Sequence, residues 1–121
     1  MNISSPPPLI SIILVTWNSA ATLTRCLGCL AAQTLKDFEV VLVDNGSKDN
    51  STLGLEEKYP KLHLRVECLE SDRGFAAANN IGARMARCHW LALLNADAFP
   101  EPDWLEKLLV AAENNPEFSW V

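Results

Sequence analysis

The sequence predicts an α/β fold built on a parallel, doubly wound sheet, and three observations predict it. Short apolar runs alternate along the chain with segments of helical period: Leu9 to Val15, Phe38 to Val43 and Trp90 to Leu94 are the clearest runs. Each run ends in polar turn-forming residues, Thr16-Trp17-Asn18, Asp44-Asn45-Gly46 and Asn95-Ala96-Asp97. Strands joined by helices return through right-handed crossovers, which makes the sheet parallel and covers both of its faces.

The elements follow in order. Residues 1–8 end in Pro6-Pro7-Pro8 and form a leader that cannot join a ladder before Leu9. Strand one is Leu9 to Val15, after which Asn18 or Ser19 caps a helix whose apolar face is Leu23, Cys26, Leu27, Leu30 and Ala31. Strand two is Phe38 to Val43, and a polar stretch leads from it into a second helix that stops before Pro60. In strand three, Leu62 to Leu69, the residues Leu62, Leu64, Val66 and Cys68 share one side; one exposed face places it at or near a sheet edge.

A loop from Glu70 to Gly74 opens a third helix with the buried stripe Ala78, Ile81, Gly82 and Met85, where Gly74 and Gly82 allow close backbone approach. Strand four follows, and Pro102 suits the first turn of a helix with the face Trp104, Leu105, Leu108, Leu109 and Ala112. Phe118 to Val121 reads as the start of a fifth strand. If the strand order is 3-2-1-4, the topological switch lies between strands one and four, and Thr16, Asp44 and Asp97 face one cleft there.

Composition narrows the function. The 121 residues fit one domain, and 49% apolar with 21% charged residues is the balance of a folded chain. The net charge is -5 and the basic residues are scattered, so nucleic acid is excluded as a partner. No apolar run reaches the length of a membrane span and no signal peptide opens the chain, so the expected compartment is the cytosol. Neither G-x-G-x-x-G after strand one nor a P-loop occurs, which disfavours a dinucleotide dehydrogenase and a P-loop enzyme. Cys26, Cys29, Cys68 and Cys88 form no disulfide framework. Cys26 and Cys29 have redox C-x-x-C spacing but lie two turns into a helix, away from the N-terminus that favours a thiolate, so core packing suits them better.

The candidate site residues are those at the strand ends. Asp97 offers a hard oxygen ligand to a divalent cation on a diphosphate, or caps the turn before Pro100. Asp44 suits a nucleotide's ribose or base, or forms an Asx turn in Asp-Asn-Gly. Arg73 with Gly74 can support phosphate at a helix start, or belong to a plain solvated loop; Asn79 and Asn80 follow on that helix, one toward a ligand or both exposed.

Four blocks in order, SIILVTWN, FEVVLVDNGSKDNS, ESDRGFAAANNIGARMA and WLALLNADAFPEPDWLEKL, resemble the family 2 glycosyltransferases, which have the Rossmann-like GT-A fold. The last block is closest to the rhamnosyltransferase-like branch of bacterial cell-surface polysaccharide synthesis. The resemblance implies transfer of a sugar from a UDP- or dTDP-linked nucleoside-diphosphate sugar to a sugar or lipid-linked acceptor, with inversion, in the cytoplasm or at the inner face of the membrane. It implies nucleotide contacts at Thr16, Trp17, Asn18, Asp44, Asn45, Arg73, Gly74, Asn80 and Asn95, and Mg²⁺ or Mn²⁺ on Asp97. Two positions depart from the family pattern: Asn95 stands where many members have Asp, and Asn79 where many have Arg.

The resemblance also implies that residues 9–121 are the N-terminal, nucleotide-binding half of a longer domain, a truncated product whose acceptor half and general base lie beyond Val121. Two alternatives from other classes are a non-catalytic nucleotide-sugar-binding or self-associating module, and thiol redox activity at Cys26 and Cys29.

Overall fold

Two strands buried along their entire length set the architecture. In the computed structural model, which describes residues 9–114, β1 (Ile10–Thr16) and β2 (Phe38–Asp44) are each seven residues long and buried at every position. β3 (Leu64–Cys68) flanks β2 and β4 (Trp90–Asn95) flanks β1, giving a parallel sheet in the order β3-β2-β1-β4, as the crossover argument requires. The connections are α1 (Ala20–Ala31), a single turn α2 (Leu55–Lys58) with a 3₁₀ turn at Pro60–Leu62, α3 (Phe75–Met85) and, after β4, α4 (Trp104–Asn114). The expected leader and fifth strand lie outside the described residues.

The period of two splits the core. Ile10, Ile12 and Leu14 of β1 and Val40 and Leu42 of β2 pack with Leu23, Leu27, Leu30 and Leu105 on the face of α1 and α4. Ile13, Val15, Val41 and Val43 point the other way, against Ala78 of α3. Each such aliphatic side chain contributes about 1.5–3 kcal/mol on burial. Gly82 lets α3 come this close: a Cβ there would lie 2.6 Å from Ile13 Cγ2. Gly74 faces open space instead, and its φ of +88° shows that it serves the turn and not a close approach.

Several boundaries differ from the expectation. Strand three begins at Leu64, because Pro60–Leu62 coils into a 3₁₀ turn and His63 takes φ +49°; Leu62 is still buried, but from the turn. Ala31 is exposed: eight residues at about 100° each carry it some way round the helix from Leu23. Ser19 occupies the cap position of α1 without capping it, since its hydroxyl donates to the Trp17 carbonyl and the Ala20 N–H donates to Asp49 Oδ2 at 3.2 Å. The last helix starts at Trp104, two residues after Pro102. Buried Gln33 ties it down, accepting from the Leu105 N–H at 3.0 Å and donating to the Glu101 carbonyl at 2.6 Å.

A fully buried carboxylate, Glu39, sits in β2 near the end of the sheet opposite the turns after β1, β2 and β4. It accepts from the Ser11 hydroxyl at 2.5 Å and from the Arg87 N–H at 2.8 Å, and it pairs with Arg65 and Arg87 at 3.1 Å each. The Arg65 guanidinium also donates to the Met85 carbonyl, and the Cys88 N–H donates to Ser11 Oγ at 3.2 Å, so α3, β1, β2 and β3 meet on one charge. Burial pushes the Glu39 carboxyl up, but the hydrogen bonds from Ser11 and Arg87 and the charge of Arg65 outweigh it and hold it below the usual value of 4.5.

A folded-state value below the unfolded one stabilises the protein above pH 4.5, and the gain is lost as the pH falls through the lower folded value. Glu39→Ala should lower the unfolding free energy by about 2–3 kcal/mol near pH 7, the two arginines keeping some access to water. Chemical denaturation of both proteins from pH 7 downward should show the gap narrowing below pH 4.5.

Candidate functional site

The parallel register decides which strand-end side chains can meet. Thr16 is level with Asp44, and both continue the face that carries α1 and α4. Val15 is level with Val43 on one side and Asn95 on the other, and this set faces α3. Of the three residues expected in one cleft, Asp44 and Asp97 are divided by the crest of the sheet into two hollows.

The hollow on the α3 side has a volume of about 570 Å³ and is lined by Trp17, Asn45, Asp72, Phe75, Asn95 and Asp97, among others. Its polar groups include two carboxylates, two amides and the Ser19 hydroxyl, and its apolar ones include two aromatic residues exposed at 53% (Trp17) and 58% (Phe75). Asp97 reaches it because the chain turns out of β4 after Asn95, closed by the Ala98 N–H on the Asn95 carbonyl at 3.0 Å, with Ala96 turned into the core. Phe99 then lies under the Arg25 guanidinium, 4.1 Å from the ring centre, which ties this turn to α1.

The hollow on the other side, about 610 Å³, opens between the ends of β2 and β3 and the segment around α2, and Asp44, Thr52, Leu55, Val66 and Cys68 are among its lining. Asp44 is held rigidly: Oδ1 accepts from the Ser47 N–H and Oδ2 from the Thr52 hydroxyl, each at 2.9 Å. Asp44 thus forms the Asx-type turn and is 5% exposed, at the wall of this hollow. Thr16 does not line either hollow; it is 1% exposed and its hydroxyl has no partner.

Asn45 fastens the loops to one another. Its N–H donates to the Thr16 carbonyl at 2.8 Å, its Nδ2 to Asp72 Oδ1 at 2.9 Å, and its Oδ1 accepts from the Arg73 N–H at 2.9 Å. Asp72 Oδ1 in turn accepts from the Gly74 N–H at 2.8 Å. Gly46 makes this contact sterically feasible, since a Cβ on it would lie 2.7 Å from the Ser71 carbonyl carbon and its φ is +84°. Asn18, at φ +45°, accepts from the Lys48 N–H at 2.7 Å and donates its own N–H to Ser47 Oγ at 2.8 Å.

Of the expected nucleotide residues, the structure brings Trp17, Asn45, Gly74 and Asn95 together with Asp97. Asn18 and Arg73 line neither hollow, the first held in the loop lacing and the second exposed. Asn80 faces a groove along the outer edge of β4 with Leu91 and Leu93, away from Asp97, because α3 places it on a different side from Phe75. Asn79 is buried and donates to the Phe75 carbonyl at 3.1 Å, so its amide is used within the helix.

The sequence reading missed Asp72, Phe75 and Thr52 as site residues; the signal for Asp72 was a carboxylate next to the Arg73-Gly74 turn. The cysteines are all free. Burial, with Cys29 and Asp97 adding to it, pushes the Cys26 thiol up to about 12, and its Sγ donates to the Asn95 carbonyl at 3.8 Å, which fits packing and not redox work.

Asn45→Ala should release residues 72–74 while leaving the sheet intact. Amide hydrogen exchange at Arg73 and Gly74 should speed up about ten-fold, the equivalent of roughly one to two hydrogen bonds, with exchange in β1 and β2 unchanged. Equal acceleration in the strands would mean that Asn45 supports the whole fold.

Among described residues no helix is long and apolar enough to cross a membrane. The family described as Glycosyl transferase family 2 matches residues 11–120. Validoxylamine A glucosyltransferase of Streptomyces hygroscopicus subsp. jinggangensis is 38% identical over 112 residues, which are 89% of this chain and 26% of that protein. S. aureus TarS, solved in complex with UDP, superposes with a TM-score of 0.80 at 31% identity, over 89% of this chain and 33% of that one. The mannosyltransferase PcManGT of Pyrobaculum calidifontis, solved with GDP-Man and Mn²⁺, gives 0.71 at 29% identity, over 78% of this chain and 29% of that one. The chain thus spans about a quarter to a third of the length of these relatives. With the four-strand parallel sheet of the GT-A glycosyltransferases and a family match over nearly its full length, the chain belongs to glycosyl transferase family 2.

Proposed function

We propose that this chain binds the donor of a glycosyl transfer, a nucleoside-diphosphate sugar whose sugar passes to an acceptor hydroxyl in one displacement with inversion. The observation that carries this reading is the hollow on the α3 side, where Asp97, Asp72, Asn45 and Asn95 stand beside two exposed aromatic rings at the C-terminal ends of parallel strands. Relatives of the same fold hold UDP and GDP-Man, which supports a nucleotide sugar and extends the UDP or dTDP expectation to a guanine nucleotide.

The donor set fits Mg²⁺ or Mn²⁺. No group of three or more His, Cys, Asp or Glu residues that could hold a metal occurs among the described residues. A hard cation on a nucleotide needs fewer, one or two carboxylates with phosphate oxygens and water completing its shell. Asp97 is the anchor in this reading, with Asp72 and the Asn95 amide oxygen in the same hollow. The cation's contribution is to neutralise charge on the departing diphosphate.

Asp44 takes the nucleoside from the other side of the crest, level with Thr16 of β1, while Trp17 contributes from the α3 side. Arg73 and the N-terminal turn of α3 lend positive charge to phosphate. Asn95 replaces a carboxylate of many family members and still offers a ribose hydroxyl or a metal-bound water an amide oxygen. None of these residues is the general base. The finer assignment, a hexosyltransferase of the rhamnosyltransferase-like branch acting on a sugar or lipid-linked acceptor in bacterial cell-surface polysaccharide synthesis at the inner face of the membrane, rests on the resemblance of the WLALLNADAFPEPDWLEKL block.

One observation favours a second reading, a self-associating module. Among the described residues β4 is an edge strand whose Leu93 is 43% exposed, and an open apolar edge pairs readily with another strand. Gel filtration at micromolar concentration separates the two: a monomer removes the second reading.

Calorimetric titration of UDP, dTDP and GDP, with and without Mn²⁺, tests the first. Binding to one of them should be strengthened at least about ten-fold by Mn²⁺, a difference of 1.4 kcal/mol, and Asp97→Ala should abolish that gain. No binding of any of the three to a chain folded by circular dichroism would sink the donor-site reading.

A further inference from the structure

Phe75 is a large aromatic residue that neither core cluster uses. It is the first residue of α3, its ring is 58% exposed, and the buried residues of the same helix are Ala78, Asn79 and Gly82. Gly74, at φ +88°, turns the chain so that Phe75 starts the helix beside the hollow that Asp97 enters. The other lining side chains with polar groups are Trp17, Ser19, Asn45, Asp72, Asn95 and Asp97.

We propose that Phe75 is the platform on which the sugar ring of the donor lies, and so a specificity-determining residue of the transfer; this rests on the nucleotide-sugar reading above. A pyranose carries C–H groups on a face and hydroxyls around its rim. An aromatic ring beside a carboxylate and amide wall matches that division, the face stacking on the ring and the rim reaching Asp72 and Asn95.

A nucleobase also stacks on aromatic rings, and the division of the site decides between the two. Asp44, assigned to the nucleoside, opens into the hollow by β3, whereas Asp97, assigned to the diphosphate, opens into this one. A donor laid across the crest has its base on the Asp44 side and its diphosphate at Asp97, so the ring that continues past the diphosphate is the sugar.

The test compares each nucleotide sugar with its own bare diphosphate, in the presence of Mn²⁺. UDP-glucose, UDP-N-acetylglucosamine, GDP-mannose and dTDP-rhamnose are titrated alongside UDP, GDP and dTDP into the wild-type chain, Phe75→Ala and Phe75→Tyr. The wild type should bind at least one sugar-bearing form more tightly than the bare diphosphate. Phe75→Ala should remove about three- to ten-fold of that preference and leave the bare diphosphate within two-fold, and Phe75→Tyr should retain the preference.

Equal weakening of sugar-bearing and bare forms in Phe75→Ala would place the base on this ring and overturn the proposal, as would no change in either. So would a wild type that binds bare diphosphates and gains nothing from any of the four sugars. A wild type that binds no nucleotide at all is a separate result: it removes the donor-site reading itself, and this proposal with it.

Discussion

In a parallel pair the side chains at matched positions share a face, and β1 is matched on both sides at once, Thr16 with Asp44 and Val15 with Asn95. That register is held by buried residues on both faces of the sheet, and a slip by one residue would turn every one of them to the wrong side. The site inherits the consequence. Asp44 stays with the face of Ile12 and Leu14, Asn45 and Asn95 with that of Ile13 and Val15, so the polar residues past the strand ends are distributed over a crest. A ligand that uses both sets must be long and bent across it, which a nucleoside-diphosphate sugar is and a compact metabolite is not.

The two ends of the sheet solve different problems with charge. At one end Glu39 is enclosed and fully answered by two arginines, a hydroxyl and a backbone N–H. A charge so paired has no capacity left for a ligand, and its contribution is to hold β1, β2, β3 and α3 in one arrangement. At the other end Asp97 is exposed, on a turn fixed by the Ala98 N–H on the Asn95 carbonyl, by buried Ala96 and by Phe99 under Arg25. The loops there are laced mainly by short polar side chains, Asn45, Ser47, Asp49 and Asp72, and not by apolar packing. Such contacts position a carboxylate while leaving its surroundings open to water and ligand, the arrangement expected of a site carried on loops over a rigid scaffold.

Much of this was legible in the sequence. The four strands and the edge position of strand three followed from runs and alternation, and the order 3-2-1-4, considered as a condition, is the one observed. The two-sided division of strand three is not: its burial falls from Leu64 to an exposed Cys68. Asp44 and Asp97 were identified from their place after a strand. That they open on opposite sides of the crest depends on the register between strands, which the sequence does not carry. Other features left no local trace. Glu39 reads as one polar residue in an apolar run, and its partners Arg65 and Arg87 are 26 and 48 residues away. The capping of α1 by Asp49 likewise depends on a loop 29 residues on, so the local sequence could suggest only Asn18 or Ser19.

Asn95 bears on how such a site tolerates its own acidity. The chain carries a net charge of -5, and a diphosphate bound as proposed would bring further negative charge to a hollow that already contains Asp72 and Asp97. A carboxylate at position 95, as many family members have, would make three acids around one hollow, and like charges that share a site raise the cost of ionising each other. Asp72 changes that balance: it returns a carboxylate to the hollow from the loop before α3, with one oxygen already engaged by Asn45 and the Gly74 N–H. The amide at 95 then keeps an oxygen ligand without a third charge. On the proposed reading, Asn in place of an acid at this strand end is a redistribution within the hollow, and it would leave oxygen donors enough for a single hard cation shared with phosphate.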